Sequence, residues 1–167
     1  LYAEAKAAVS MAPGRVLMCQ TACHAAADLR IFSRIEKLAE NEIRPAYLDG
    51  VVATVDLVAP DTYTFTIETE APLAFRAGQF ALVAAEGVPG FRAYSMTRSP
   101  GDQRALEFVV RTAALGAFSR KVVAGFAGER VRVFGPLGRA VFEPEHGGAL
   151  TCIAGGTGVA GIMSILE

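Results

Sequence analysis

From Gly50 onward, apolar and polar residues alternate with a period of two. In "VVATVDLVAPDTYTFTIETE", Tyr63, Phe65 and Ile67 are separated by threonines. That rhythm, with Pro60–Asp61 between the two halves, predicts two strands joined by a turn. "GQFALVAAE" predicts a third strand after a turn at Gly78, and "FRAYSMT", "ALEFVVRTA" and "GERVRVFGP" predict three more. Strand-like runs recur at roughly 8–15 residues with Gly and Pro between them, the grammar of an antiparallel sandwich or barrel. One short helix interrupts it, "AFSRKVVAGF", with Phe118, Val122 and Val123 apolar and Gly125 as its stop.

The pattern differs at both ends. "GRVLMCQ" and "ADLRIFSRI" are short apolar runs, and "EKLAENEIRPAYLDG" reads as a linker. After "EPEHGGA" comes "LTCIAGGTGVAGIMSILE", a continuously apolar run, a glycine turn and the start of a helix. A strand buried on both faces and feeding a helix is how a parallel α/β sheet opens, so Cys152 is expected in a core. The abrupt start at Leu1 and the stop within a helical pattern suggest a piece of a longer protein.

Composition narrows the classes. The chain has 167 residues, 52% of them hydrophobic and 20% charged, enough for a real core. A net charge of −1 without a basic run argues against nucleic acid as a partner. No apolar stretch reaches the roughly 18 residues a membrane helix needs. Three cysteines make no disulfide framework and favour a reducing cytoplasm.

Three stretches carry candidate chemistry. Gly156-Thr157-Gly158-Val159-Ala160-Gly161 fits G-x-G-x-x-G before a helix, where backbone N–H groups and the helix dipole can meet a pyrophosphate. A tight turn needing glycine for geometry alone would look the same. Gly116-Ala117-Phe118-Ser119 opens the short helix and offers either a second phosphate cradle or an ordinary N-cap by Ser119. Phe91 to Pro100, "FRAYSMTRSP", sets Arg92, Tyr94 and Met96 on one face of an extended segment. A planar cation can pair with phosphate, a ring can stack on a flat heterocycle and the Ser95 hydroxyl can donate to a ring nitrogen.

"RAYSM" resembles the flavin-binding signature R-x-Y-[S/T] of the ferredoxin–NADP reductase superfamily. "GQF", "GAFS", "GPLG" and "IAGGTG" come in that family's order. The resemblance implies a mainly β chain. An antiparallel Greek-key flavin-binding barrel (47–147) would be followed by the start of a parallel α/β NAD(P)-binding domain (148–167). Arg92 would hold flavin phosphate, Tyr94 would stack on the isoalloxazine, and Ser95, the expected catalytic hydroxyl, would lie near N5. Ala93 and Met96 would complete the flavin segment, and Gly116, Ala117, Phe118 and Ser119 would serve the pyrophosphate. Gly155, Gly156, Thr157 and Gly158 would line the nicotinamide nucleotide. One departure stands out: the family reads G-G-T-G-x-A-P, and Gly161 replaces the proline here. Glycine costs roughly 0.5–1 kcal/mol in a helix, so a looser turn is expected.

The N-terminal part, residues 1–34, is similar to the end of a plant-type 2Fe–2S ferredoxin domain, a β-grasp fold, with a linker at 35–46. In that family Cys19 would be the fourth cluster ligand, the other three lying upstream. Cys23, His24 and His146 fit no motif. The order ferredoxin, flavin barrel, nicotinamide domain resembles the reductase components of bacterial oxygenases. It implies FAD, NAD(P)H and a 2Fe–2S cluster, and a terminal oxygenase or another electron-acceptor protein as partner. A stand-alone NAD(P)H–flavin reductase, a non-catalytic FAD-binding electron-transfer subunit, and an unrelated nucleotide-binding protein remain rival readings.

Overall fold

The computed structural model describes residues 42–112, 116–142, 147 and 149–167. The ferredoxin-like stretch, most of the linker, Cys19, Cys23, His24 and His146 lie outside them. The described residues belong to one compact unit, Leu38–Glu167.

Six strands form one antiparallel sheet: β1 (Ala46–Ala59), β2 (Thr62–Phe75), β3 (Phe80–Ala85), β4 (Arg92–Ser95), β5 (Gly101–Arg111) and β6 (Arg130–Leu137). Their order is β4-β3-β6-β1-β2-β5. Within it β1, β2 and β5 are neighbours in turn, and β6 returns to lie beside β1, which is the Greek key expected. The β1–β2 turn falls at Pro60–Asp61, with Asp61 in the left-handed region at φ 56°. Its carbonyl accepts the Thr112 N–H at 2.8 Å, which ties the hairpin to the end of β5.

The period of two is observed as burial. Phe65 and Ile67 on β2, Ala81, Val83 and Ala85 on β3, and Val131 and Val133 on β6 point inward. Their intervening neighbours are more exposed. α1 (Ala117–Gly125) inserts Phe118 and Val122 into this core, and Phe126 follows them, while Val123 faces outward. Gly125 ends α1 at φ 109°, a backbone conformation that glycine adopts without a Cβ penalty.

Two features shape the sheet into a barrel. β1 pairs with β6 along Ala46 to Val51 and with β2 from Gly50 onward, so it turns a corner at Gly50. A Cβ there would lie 2.7 Å from the Glu68 carbonyl oxygen and 2.8 Å from Ile67 Cγ2. The two outer strands, β4 and β5, meet at a single bridge, Met96 opposite Phe108. The Thr97 N–H donates to the Glu107 carbonyl beside it at 3.1 Å. The barrel is thus stitched at one end of β4 and splayed at the other.

The apolar run before the glycine turn is not a strand. Residues 149–155 have no ladder partner, Ile153 is 89% exposed and Cys152 is exposed rather than in a core. A parallel strand needs neighbours to accept its hydrogen bonds and cover its faces. Among the described residues none lies beside it. The helical half of the unit does form, as a 3-10 turn (Gly156–Gly158) leading into α2 (Val159–Leu166).

The β1 corner supplies a stability test. Gly50→Ala forces the β1 and β2 backbones apart and is expected to cost about 1–3 kcal/mol, read as a lower urea midpoint at unchanged slope.

Candidate functional site

Arg92, Ala93, Tyr94 and Ser95 form the whole of β4, an outer strand paired only with β3. Tyr94 lies opposite Ala81, on the inner face, and Ser95 opposite Phe80, on the outer face. The Tyr94 ring is half-buried against Phe118 of α1 at 5.2 Å and meets Phe65 edge-on at 5.6 Å. Met96, next along the inner face, is wholly buried. The alternation therefore places Tyr94 and Met96 on one side as expected, with Tyr94 at the margin of the core.

Arg92 is exposed at the splayed end of β4. Its guanidinium donates to the carbonyls of Phe91 at 2.9 Å and Pro89 at 3.2 Å. Both are neutral acceptors, weaker than a phosphate oxygen. Burial pushes the Tyr94 phenol up to about 12 from its ordinary 10.0, and the adjacent Arg92 charge pulls the other way. The ring is neutral throughout the physiological range.

The Tyr94–Phe118 contact brings the start of α1 alongside β4. Gly116 is the N-cap, extended at φ −71° and ψ 128°, and no side chain caps the helix. Ser119 sits in the first turn and is not the N-cap. The start of α1 thus lies beside Tyr94, and its N-cap Gly116 brings no side chain to it. The side chain of Phe118 is core; what it can offer a ligand is its backbone.

The glycine turn lies over another part of the barrel. Gly155 is extended, Gly156 is left-handed at φ 54°, and a Cβ at Gly155, Gly156 or Gly158 would meet nothing within 4 Å. Open space lies before the turn. The Gly158 N–H is already spent on the Gly155 carbonyl at 3.0 Å, so the N–H groups of Gly156 and Thr157 are the ones the turn can offer. A cavity of about 300 Å³ separates the turn from the barrel, lined by Thr62, Val109, Arg111, Gly156 and Thr157 among others. A second cavity, of about 830 Å³, surrounds the β1 corner between Asp49, Glu68, Glu86 and Arg130. It touches Phe91 but none of the signature residues.

A half-buried ring on β4, the start of a helix beside it and an exposed arginine on the same strand are parts that a flat, phosphate-bearing cofactor can use. A family model described as the oxidoreductase FAD-binding domain matches residues 49–142. The chain belongs to this family. The match covers the six-stranded barrel and α1.

This FAD-binding-domain chain is 33% identical over 148 residues to the ferredoxin–NAD(P)+ reductase CarAd of Metapseudomonas resinovorans, covering 87% of itself and 44% of that relative. It is 34% identical over 149 residues to the ferredoxin–NAD(P)+ reductase component of a naphthalene 1,2-dioxygenase/salicylate 5-hydroxylase system of Ralstonia, with the same coverage. The chain thus spans less than half the length of these two relatives. Among solved structures, an Amycolatopsis cytochrome P450 reductase superposes with a TM-score of 0.70 at 32% identity, over 75% of this chain and 39% of that one. No described helix is long and apolar enough to cross a membrane.

Sequence reasoning missed two hydroxyls. Thr97 is buried and donates to the Glu107 carboxylate at 2.8 Å and carbonyl at 3.2 Å, securing the single β4–β5 stitch. Ser164 is buried under α2. Thr97 lies within "FRAYSMTRSP" and Ser164 in the helical run after the glycine turn, but neither position announces its partner.

The Tyr94 phenol supplies a pH test. Between its ordinary value of 10.0 and about 12, the unfolded chain loses a proton that the folded chain keeps. Stability therefore falls as pH rises through that window. Tyr94→Phe is expected to flatten this part of the curve, measured as urea midpoints across the same pH range.

Proposed function

We propose that this chain is the flavin-binding part of an NAD(P)H-dependent reductase that supplies electrons to an oxygenase. In this reading residues 47–147 are the FAD barrel, 148–167 begin the NAD(P)-binding domain and 1–34 end a 2Fe–2S ferredoxin domain. Cys19 is a cluster ligand in the complete protein. The partner is a terminal oxygenase or another electron acceptor, and the compartment is the cytoplasm.

The observation that carries the reading is the meeting of β4 and α1 through Tyr94 and Phe118. It supports the reading because it sets β4, the strand that carries the signature residues, beside the start of α1.

The chemistry supplied by bound FAD is acceptance of a hydride from NAD(P)H and release of its two electrons one at a time. The protein's tasks are binding and orientation. Arg92 exchanges its two carbonyl partners for flavin phosphate. The N–H groups from Gly116 to Ser119 take the pyrophosphate, and the neutral Tyr94 ring packs on the isoalloxazine. Ala93 and Met96 hold the strand in register through their backbones, the Met96 N–H donating to the Gln79 carbonyl at 3.2 Å. The Ser95 hydroxyl is offered to the flavin's N5. Gly155 to Gly158 leave open space for the nicotinamide nucleotide. No side chain is needed as acid, base or nucleophile.

The test is flavin titration followed by absorbance. The protein is expected to retain FAD and show flavin bands. Arg92→Ala or Tyr94→Ala should weaken retention by about 1.5–3 kcal/mol, on the order of ten- to a hundredfold in Kd. Equal retention in the parent and both variants would discard the clamp.

A further inference from the structure

α2 is joined to the barrel by a small set of contacts centred on the "GQF" turn, which the cofactor reading leaves without a task. Ser164 on α2 is 2% exposed. Its hydroxyl donates to the Gly161 carbonyl at 3.0 Å and accepts the Gly78 N–H at 3.0 Å. A helical serine commonly bonds the carbonyl one turn back; here the same oxygen also satisfies a barrel donor 86 residues away in sequence.

The barrel side of this joint is rigid. Gly78 has φ 91°, and a Cβ there would lie 2.3 Å from the Ala140 carbonyl oxygen, so only glycine fits. Gln79 is held three ways: its Oε1 accepts the Arg76 N–H at 2.8 Å, its Nε2 donates to the Gly138 carbonyl at 3.1 Å, and its own carbonyl takes the Met96 N–H. Gly138 closes the "GPLG" motif, so both orphan motifs meet here. Met96 directly follows Ser95.

On the helix side, Gly161 faces that same serine. A Cβ on Gly161 would lie 3.5 Å from Ser95 Oγ and 3.6 Å from Ser95 Cβ. A short circuit therefore runs from Ser95 through Met96, Gln79, Gly78 and Ser164 to Gly161, and back to Ser95. A Cβ at Gly161 would just reach van der Waals contact with Ser95, so a branched side chain there has no room without moving α2. A second tie, the Ser99 N–H to the Glu167 carboxylate at 2.7 Å, steadies the far end of α2.

We propose that Ser164 is a positioning residue for hydride transfer: by tying α2 to Gly78, it sets Gly161 beside Ser95 and so fixes the position of the preceding glycine turn relative to that serine. This role rests on the functional reading above, in which Ser95 faces the flavin and the glycine turn holds the nicotinamide. Hydride donor and acceptor must approach to about 3–3.5 Å, and an error of about 1 Å can cost about a hundredfold in rate. A joint that acts on both sides of that gap acts where such errors matter.

The test compares Ser164→Ala and Gly161→Val with the parent in the complete, FAD-loaded protein. Gly161→Val adds branches beyond a Cβ that is already in contact with Ser95, so it lifts α2 by an independent route. Both variants are expected to keep the parent's flavin affinity and to accept electrons normally from dithionite. Bleaching of the flavin by NAD(P)H should slow about ten- to a hundredfold, with a larger isotope effect from the 4-deuterated nucleotide. In cofactor-free protein, Ser164→Ala should raise amide exchange at Gly78 and along α2, leaving β1, β2 and β5 unchanged.

Bleaching as fast as the parent's, or an unmoved exchange rate at Gly78, overturns the role. So does a loss of flavin in step with the loss of rate, which would make Ser164 a barrel-stability residue only. A parent protein that NAD(P)H cannot reduce removes the functional reading and this role with it. A reducible parent with equally fast variants removes the role alone.

Discussion

The packing of Phe65 is the contact on which the rest of the barrel depends. It lies wholly buried near the start of β2. It stacks on Phe108 at 5.2 Å, meets Tyr94 and Phe126 edge-on, and lies 6.0 Å from Phe118. Those four rings come from β5, β4, the residue after α1, and α1 itself. Where β4 and β5 part after one bridge, backbone hydrogen bonds no longer hold the edges together, and aromatic packing takes over. The separation of β4 from β5, the seat of α1 and the tilt of Tyr94 all follow from how these rings fit. Aromatic pairs add about 0.5–1.5 kcal/mol each beyond their area burial, enough to hold open a gap that a continuous sheet would close.

The barrel was legible because its strands are amphipathic. Tyr63, Phe65 and Ile67 against threonines, and Val131 and Val133 alternating with Arg130 and Arg132, carry the period of two with little ambiguity. Turn chemistry marked the ends: Pro60–Asp61 and Gly78 stand where the chain reverses, and Gly125 where α1 stops. The cofactor signature was legible as an order of short motifs, and the fold brings "RAYS" and "GAFS" together at one gap.

The remainder depended on partners that a linear reading cannot supply. "LTCIA" has the composition of a buried strand, yet Ile153 and Cys152 are exposed because no described strand covers them. The Ser119 side chain could have capped α1, but the chain enters the helix three residues earlier, at Gly116. Gly161 faces Ser95, a neighbour 66 positions away that the helix-start motif does not announce. Thr97 and Ser164 matter through acceptors and donors far away in sequence, and no local pattern announces them.

The brevity of β4 has a further consequence. A sheet margin with unpaired N–H and C=O groups invites another polypeptide to add to it, the usual origin of edge-to-edge aggregation. On the β4 side that margin is four residues long, opens on the charged Arg92 and has α1 and α2 beside it. A foreign strand would find too little length to grip and a cation at the entrance. On this side of the sheet, the shortness of β4 works against strand addition.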